Sequence, residues 1–378
     1  MIEFAIMLLP IAAASGWYFA SRHYKSTHTA PYNEHIGYFK GLNHLLNEEP
    51  DKAISAFVDL LEVDDDTIEI HLALGTLFRQ RGEVDKSIRL HQNLIARPQL
   101  NQQTRLDVLN ELGLDYMRAG LLDRAENIFL ELEKEFSHKI NAVRQLLSIF
   151  QQEHEWLNAI EYAAKLEAIE HTKKPTLLSH LYCELAEFNL AKKDLNSAKI
   201  HLKKALKADP KCVRVNVISA GVYRQNADYK NALKVLMKIE GQNINFVSVF
   251  IDLIIDCFDK LNQPEQKFKF LANLQSINDS TIVLSRFVNV LMEHKGEMQA
   301  TAFMREKLIN NPNESYLKLF AELQTEAKEN QEIQFLYNIL KQLDEASLSY
   351  QCKQCGFNAV ELHWCCPSCK QWGTSNPE

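Results

Sequence analysis

The chain has 378 residues, of which 46% are hydrophobic and 24% are charged, and it contains only 12 glycines and 10 prolines. This composition excludes a disordered chain, and the scarcity of helix breakers favours helices over strands and turns. The formal net charge of −7 argues against a general nucleic-acid-binding protein, which would present a basic stripe.

The first predicted element is an uncharged N-terminal segment. Residues 4–20 read FAIMLLPIAAASGWYFA and reach the lower length limit of a membrane-spanning helix. A cleaved signal peptide would need positive charges before the apolar run, but only Glu3 precedes it, whereas Arg22 follows it. By the positive-inside rule, residues 1–20 therefore form a single-pass anchor, and the rest of the chain faces the cytoplasm. A signal peptide and a buried core helix remain as alternatives.

After a linker at residues 21–33, residues 34–313 contain a repeat with a period close to 34 residues. One series of mostly small residues falls on Ala53, Ser87, Ala125, Ala159, Ala198, Ala232 and Ala300. A second series lies twelve residues upstream, at Gly41, Gly75, Gly113, Leu147, Ala186, Ala220, Ile254 and Val288. The pattern resembles the tetratricopeptide repeat, in which small residues let paired helices approach closely. It predicts an all-α array of eight units, with the seventh unit degenerate at Gln266, followed by capping helices at residues 314–349.

The inner surface of such an array is a candidate partner site, because repeat proteins bind through their concave face. Across repeats two to six the exposed positions of the first helix are polar and mildly basic, which suits carboxylate-bearing peptide segments, whereas repeats seven and eight break this trend. A merely solvated inner face is the alternative. The candidate residues are Arg79, Gln80, Arg118, Gln151, Gln152, Arg224 and Gln225.

The sequence contains no P-loop, nucleophile elbow or dinucleotide fingerprint, and we expect a protein that is not an enzyme. The histidines within the helices have no partners at ligand spacing, and we interpret them as ordinary surface or half-buried residues. They include His71, His91, His154, His180 and His201. The isolated Cys183, Cys212 and Cys257 are interpreted as small buried hydrophobic residues, and reduced thiols suggest a cytosolic environment.

The tail at residues 350–378 carries a strong metal-binding signal. Two Cys-x-x-Cys pairs are separated by ten residues, and each pair forms a knuckle that directs two thiolates to one point. The predicted ligands of one tetrahedral site are Cys352, Cys355, Cys366 and Cys369. Zinc and iron both suit four thiolates, so the choice between them is open. Cys365 does not fit the knuckle spacing and is interpreted as a spectator.

The same tail carries two tryptophans and no net charge. Balanced charge weakens the case for a DNA-binding ribbon. Trp364 and Trp372 are therefore expected to pack the module onto the last repeat. A segment this short buries too little apolar area to fold alone, so we expect its folding to be coupled to metal binding.

The whole layout resembles the lipopolysaccharide assembly protein B family of Gram-negative bacteria. The resemblance rests on GWYFASR after the apolar segment, on LGTLFRQRGEVDKSIRLHQNLI and LGLDYMRAGLLDRAENIF in the array, and on YQCKQCGFNAVELHWCCPSCKQW in the tail. It implies an inner-membrane protein that faces the cytoplasm, with a rubredoxin-like domain packed on the repeats. By this resemblance the four ligand cysteines of the family correspond to those named above. Cys365 stands where the family usually has another residue.

The resemblance also implies a role and partners. The family acts as an adaptor that presents the deacetylase committed to lipid A synthesis to a membrane AAA+ protease, and a membrane-embedded partner that senses lipopolysaccharide restrains it. Other lipopolysaccharide assembly proteins are further implied partners, homo-oligomerisation is left open, and no nucleic acid is expected. An iron–thiolate electron carrier or redox sensor built on the repeat scaffold is the alternative function, and a purely structural platform is a weaker one.

Overall fold

A computed structural model describes residues 68–98, 100–278, 280–327 and 349–377, together with the single positions 17, 43, 44 and 52. The chain divides into two compact units, with the boundary between His154 and Glu155. The predicted anchor apart from Trp17, the linker, nearly all of the first repeat and much of the capping segment lie outside the described residues. Within the described part of the chain, no helix is both long enough and apolar enough to cross a membrane.

The first unit contains helical hairpins. Each hairpin packs one long helix against the next through a turn of three residues, as in α1 with α2 and α3 with α4. The Asn101 side chain accepts a hydrogen bond from the Thr104 N–H at 2.8 Å and thereby caps α3. The described helices are α1 (Ile68–Gln80), α2 (Val84–Ile95), α3 (Gln102–Arg118), α4 (Leu122–Leu132) and α5 (Lys139–Gln152).

The second unit continues the same arrangement and adds the C-terminal module. Its described helices are α6 (Trp156–Glu170), α7 (Pro175–Ala191), α8 (Leu195–Ala208), α9 (Val213–Gln225), α10 (Tyr229–Leu236), α11 (Lys238–Gln242), α12 (Asn245–Lys260), α13 (Pro264–Ile277), α14 (Thr281–Lys295), α15 (Glu297–Asn310) and α16 (Glu314–Ala327). The predicted helical-repeat class and the small C-terminal module are thus confirmed. Three short strands form the module's sheet, and they are β1 (Tyr350–Cys352), β2 (Asn358–Ala359) and β3 (Ser375–Pro377).

Close helix packing explains the small residues of the repeat. Ala125, Ala159 and Ala198 are completely buried. A Cβ atom on Gly75 would overlap the His91 imidazole, and one on Gly113 would lie 2.7 Å from the Phe129 ring. A glycine in the first helix thus makes room for a large buried side chain in the second.

The short connections between successive helices share a third periodic feature, which the sequence pattern does not reveal. One residue in each of seven such connections adopts a positive φ, between +54° and +87°. This conformation strains residues that carry a Cβ atom. Only three of the seven are glycines, which hides the series in the sequence. The residues are Gly82, Gly120, His154, Lys193, Ala227, Asn262 and Gly296.

The degenerate seventh unit is shifted by one residue. Gln266 is exposed, and the buried position that the small residue occupies elsewhere belongs to Lys267. Lys267 Nζ lies 2.7 Å from an Asp259 carboxylate oxygen and 3.5 Å from one of Glu293. These two carboxylates offset the cost of burying the ammonium group, so a charged side chain occupies a position that the pattern assigns to a small one.

Candidate metal centre

The two Cys-x-x-Cys knuckles are built alike. In the first, Gly356 N–H donates to the Cys352 carbonyl and Cys352 N–H donates to the Phe357 carbonyl, both at 2.8 Å. In the second, Lys370 N–H donates to the Cys366 carbonyl and Cys366 N–H donates to that of Gln371, both at 2.9 Å. Each knuckle turns at the residue after its second cysteine, with φ +74° at Gly356 and +59° at Lys370.

The sheet and these turns bring all four predicted ligands together. Strand β1, in the order β2-β1-β3, supplies Cys352, and its antiparallel pairing with β3 places Cys352 opposite Ser375. The four sulfurs lie within 4.8 Å of one another. The Cys352–Cys369 Sγ distance is 3.8 Å and the Cys355–Cys366 distance is 3.7 Å.

This geometry fits one tetrahedral metal ion. Metal–sulfur bonds of about 2.3 Å give a tetrahedron with sulfur–sulfur edges of about 3.8 Å, close to the Cys352–Cys369 and Cys355–Cys366 separations. Four thiolates with no oxygen or nitrogen ligand suit zinc or iron. The site can therefore hold either ion, and the donor set does not choose between them.

The four thiols have unequal proton affinities. The Thr374 hydroxyl, 3.2 Å from Cys352 Sγ, together with backbone N–H groups lowers the pKa of the Cys352 thiol to about 6, against the effect of burial. The Gln371 N–H favours the thiolate of Cys369, but burial and hydrogen bonds with the other three thiols outweigh it and raise its pKa. Metal binding must displace the remaining protons, so metal affinity should rise with pH.

Cys365 lies beside the site without joining it. Its backbone pairs with Trp372 in an isolated antiparallel bridge, and its Sγ lies 3.5 Å from the Lys370 carbonyl oxygen. Burial raises the pKa of this thiol, which opposes the thiolate form that a metal requires. The structure thus groups the four predicted ligands and leaves Cys365 outside that group.

The module is fixed to the helices by a stack of rings. His180 of α7 lies against both tryptophans, with centroid distances of 5.5 Å to Trp372 and 5.8 Å to Trp364. Trp364 also stacks on Phe246 of α12 at 5.7 Å and 11°. The expectation of docking on the last repeat is therefore wrong, because these partners lie on α7 of the fifth unit and α12 of the seventh, and not on the eighth.

Polar contacts and close approach complete this docking surface. The Arg214 guanidinium of α9 lies 5.9 Å from the Trp372 ring centroid and bonds Glu184 at 2.8 Å and Glu187 at 2.7 Å. The Asn243 amide donates to the Asn376 side chain at 3.3 Å. A Cβ atom on Gly373 would lie 2.8 Å from Thr176 and 2.9 Å from His180. Only a residue without a side chain leaves this clearance.

His180 was interpreted from the sequence as an ordinary histidine, and that interpretation is wrong. It is 3% exposed, and burial, reinforced by the positive charge of Arg214, lowers its pKa to about 3. The ring is therefore neutral at physiological pH, which allows it to pack between tryptophans as an apolar group. No local pattern marks His180, because its partners lie far along the chain.

The seven predicted groove residues have different surroundings. Arg79 is tied to Glu111 at 2.7 Å and Asp115 at 2.8 Å, and its side chain is 16% exposed. Arg224 pairs with Asp256 at 2.8 Å. The side chains of Gln151 and Gln152 each bond a residue four positions earlier in their own helix. Exposed polar side chains remain at Gln80, Arg118 and Gln225.

One part of the predicted groove forms a depression in the first unit. It has a volume of about 420 Å³ and is lined by residues from α1, α3 and α5. Among them are Arg79, Gln80 and Arg118, with Gln145 as a further polar neighbour. The structure thus brings three of the predicted residues together at one open surface.

A serine, an aspartate and a histidine also meet inside the first unit, but not as a catalytic triad. The Asp115 carboxylate accepts from the Ser87 hydroxyl at 2.7 Å and lies 2.5 Å from His91 Nδ1. All three side chains are fully buried, and the serine bonds the aspartate rather than the histidine. A nucleophile needs a base on its hydroxyl and access to a substrate, and Ser87 has neither.

Comparisons with known proteins agree with this architecture. A family model described as a rubredoxin metal binding domain matches residues 350–377, and a tetratricopeptide repeat model matches residues 179–212. The chain is 35% identical over 385 residues to lipopolysaccharide assembly protein B of Escherichia coli (strain K12), covering 100% of this chain and 98% of that protein. It is 32% identical over 391 residues to the protein of the same name from Haemophilus influenzae, with the same coverage.

Among solved structures, the chain is similar to a crystal structure of MamA protein. The sequence identity is 19%, the TM-score is 0.36, and the match covers 47% of this chain and 92% of that one.

Proposed function

Because the chain belongs to the lipopolysaccharide assembly protein B family, we propose that it is an adaptor in lipopolysaccharide assembly. In this role it presents the deacetylase of lipid A synthesis to a membrane AAA+ protease and thereby limits lipopolysaccharide production. Residues 1–20 anchor it in the inner membrane, with the repeats facing the cytoplasm. The observation that supports the proposal most strongly is the full-length similarity, which covers 100% of this chain, together with a helical-repeat fold of the kind that binds proteins.

The metal module has a structural part in this proposal. A bound ion would be held by Cys352, Cys355, Cys366 and Cys369 and would supply the energy that folds the two knuckles. The folded knuckles hold Trp364 and Trp372 against α7 and α12. Loss of the metal should therefore loosen the docked surface while the helices themselves persist.

In this proposal the deacetylase binds at the depression in the first unit. Arg118 is its exposed cation, and Gln80 and Gln145 offer amide groups beside it. An exposed guanidinium can grip a carboxylate with two parallel hydrogen bonds. The lipopolysaccharide-sensing membrane partner is proposed to act through the anchored end of the chain, where both proteins share the bilayer.

A pull-down from membranes tests the adaptor role. The full-length protein should retain the deacetylase and the AAA+ protease, whereas an Arg118→Glu variant should retain several-fold less deacetylase. Arg105→Glu is the matched control, because Arg105 is also exposed on α3 but lies outside the depression. A Cys366→Ser variant tests whether the metal module is needed to hold either partner. Equal recovery of both proteins by all variants and by an empty matrix would contradict the adaptor role.

The alternative is an iron–thiolate electron carrier or redox sensor. Cys355 is exposed, so one ligand of the site reaches the surface where an electron donor could approach. This function requires visible absorbance and a reversible redox step. Metal analysis of the purified protein distinguishes zinc from iron. A colourless, zinc-loaded protein without a redox transition would exclude the electron-carrier and redox-sensor functions.

A further inference from the structure

The second unit contains a cavity that belongs neither to the metal centre nor to the predicted groove. It is a cleft of about 250 Å³ between α8, α9 and α10, with Lys238 of α11 at one edge. Apolar side chains form most of its walls, among them Leu206, Val222 and Val235. Confined apolar clefts with a few polar groups at one side are typical of small-molecule sites.

The interior of this cleft offers few hydrogen-bonding groups to a ligand. The Asn216 amide donates to Gln242 at 2.8 Å, and the Ser219 hydroxyl donates to the Val215 carbonyl at 2.7 Å. The walls are helices, whose backbone groups are bonded within the helix. The Tyr223 hydroxyl is a further polar group of the lining. A buried peptide backbone would therefore find few partners there, whereas a hydrocarbon chain needs none.

Three lysines lie at the rim of the cleft. Lys199, Lys203 and Lys238 are all exposed and line it. Its lining contains no carboxylate, and no carboxylate of the described residues forms an ion pair with any of the three. Positive charge therefore converges on the opening of an apolar cleft without an internal counter-ion.

The chain segment that carries Lys199 and Lys203 extends this charge. Residues 192–211 contain seven lysines and two aspartates, although the whole chain carries a net charge of −7. All seven lysines are exposed. A local basic field on an acidic protein attracts anions and repels cations, and clusters of four to eight basic residues are a feature of anionic-lipid binding.

We propose that this cleft binds an anionic amphiphile, with an alkyl chain between α8, α9 and α10 and a phosphate or carboxylate head group at Lys199, Lys203 and Lys238. The apolar walls select the chain, and the lysines select the sign of the head group. A cationic amphiphile of the same length should be rejected.

Photo-crosslinking of the full-length protein tests the site. The protein is held in nanodiscs of zwitterionic lipid and exposed to dodecyl phosphate that carries a diazirine at the chain end. We expect the labelled peptides to come from α8, α9 and α10. Unlabelled dodecyl phosphate should compete, whereas inorganic phosphate and dodecyltrimethylammonium should not. A separate competition with nanodiscs of phosphatidylglycerol distinguishes a bilayer lipid from a free single-chain anion as the source of the head group.

Two variants separate the rim from the cleft. Joint replacement Lys199→Glu, Lys203→Glu and Lys238→Glu should lower labelling at least about tenfold, because each lysine near an anionic head group contributes about 1 kcal/mol. Val235→Trp fills the cleft, keeps the lysines and should also abolish labelling. The matched control reverses Lys192, Lys193 and Lys211, which are exposed and belong to the same basic segment but lie outside the cleft lining.

The proposal is overturned if the labelled peptides lie elsewhere or if inorganic phosphate competes as well as dodecyl phosphate. It is also overturned if the rim variant labels like the control variant, since surface charge alone would then explain attraction. Circular dichroism and thermal unfolding of each variant establish that it is folded. Labelling that survives in a folded Val235→Trp protein equally rejects the cleft as the site.

Discussion

Replacing Gly373 with alanine perturbs the contact between the metal module and α7 at a single atom. The added Cβ would lie 2.8 Å from Thr176 Cγ2 and 2.9 Å from His180 Nε2, and the residue has a φ of +66°. Gly356 is the matched control, because it also has a positive φ, +74°, and lies in the same module, but a Cβ there meets nothing within 4 Å. The two variants thus share backbone strain and differ in steric overlap.

The expected magnitudes follow from these two effects. A positive φ costs a residue with a Cβ atom about 1–2 kcal/mol, and overpacking adds about 1–3 kcal/mol. Gly356→Ala should therefore weaken the module by about 1–2 kcal/mol and Gly373→Ala by about 2–5 kcal/mol. The difference represents the close approach of the module to α7.

Amide hydrogen exchange of the full-length protein measures the effect where it occurs. Gly373→Ala should accelerate exchange in α7 and in the module, by roughly tenfold for each 1.4 kcal/mol. Gly356→Ala should leave α7 unchanged, and both variants should bind one metal ion per chain. Equal protection of α7 in the two variants would refute the docking argument.

Three further expectations concern packing, turns and pH. Gly75→Ala should destabilise the first unit by about 1–3 kcal/mol through overlap with His91, whereas Gly221→Ala, in open space on α9, should stabilise the second unit by up to about 1 kcal/mol, as measured by thermal unfolding. Ala227→Gly should stabilise by about 1 kcal/mol in the same assay, because Ala227 has a φ of +55°. An unfolded histidine binds a proton below about pH 6.5, whereas folded His180 stays neutral down to a pKa of about 3. The free energy of unfolding should therefore fall as the pH falls below about 6.5, and a His180→Phe variant should lose that part of the slope.

These expectations can each fail independently. If Gly75→Ala and Gly221→Ala shift the stability in the same direction, close helix approach is not the reason that position 75 requires glycine. A loss of stability in Ala227→Gly would show that alanine is not strained in this turn. Identical pH slopes between pH 6.5 and 5.5 for the wild type and His180→Phe would place the proton uptake elsewhere.

Local and periodic features of the fold were predictable from the sequence. Helix packing requires small residues at fixed intervals, so the columns that contain Gly75 and Ala125 reveal the hairpins. The metal knuckles were predictable for a related reason, since two thiolates on one turn need a fixed spacing. The shift of the buried position from Gln266 to Lys267 was not predictable, because the carboxylates that compensate the buried lysine come from neighbouring helices.

Features that depend on contacts between distant residues were not predictable. From the sequence we expected Arg79 to be an unpaired cation in the groove, but it pairs with Glu111 and Asp115 of the next hairpin. An acidic residue at Asp115, within an apolar stretch of α3, is the one signal that a buried partner was needed. Docking of the module through His180 left no such signal, because a histidine in a helix has many ordinary roles.

The contact between Asn243 and Asn376 joins positions 133 residues apart in the chain. Closing a loop of this length costs chain entropy before any contact between its ends forms to offset the loss. Folding that depends on contacts between distant residues is slow for this reason. During synthesis the helices of the array emerge from the ribosome and pair before the four ligand cysteines emerge. The docked state can therefore form only after the second knuckle has left the ribosome, so in the proposed metal-bound form the ion would be acquired by a chain whose helices have already paired.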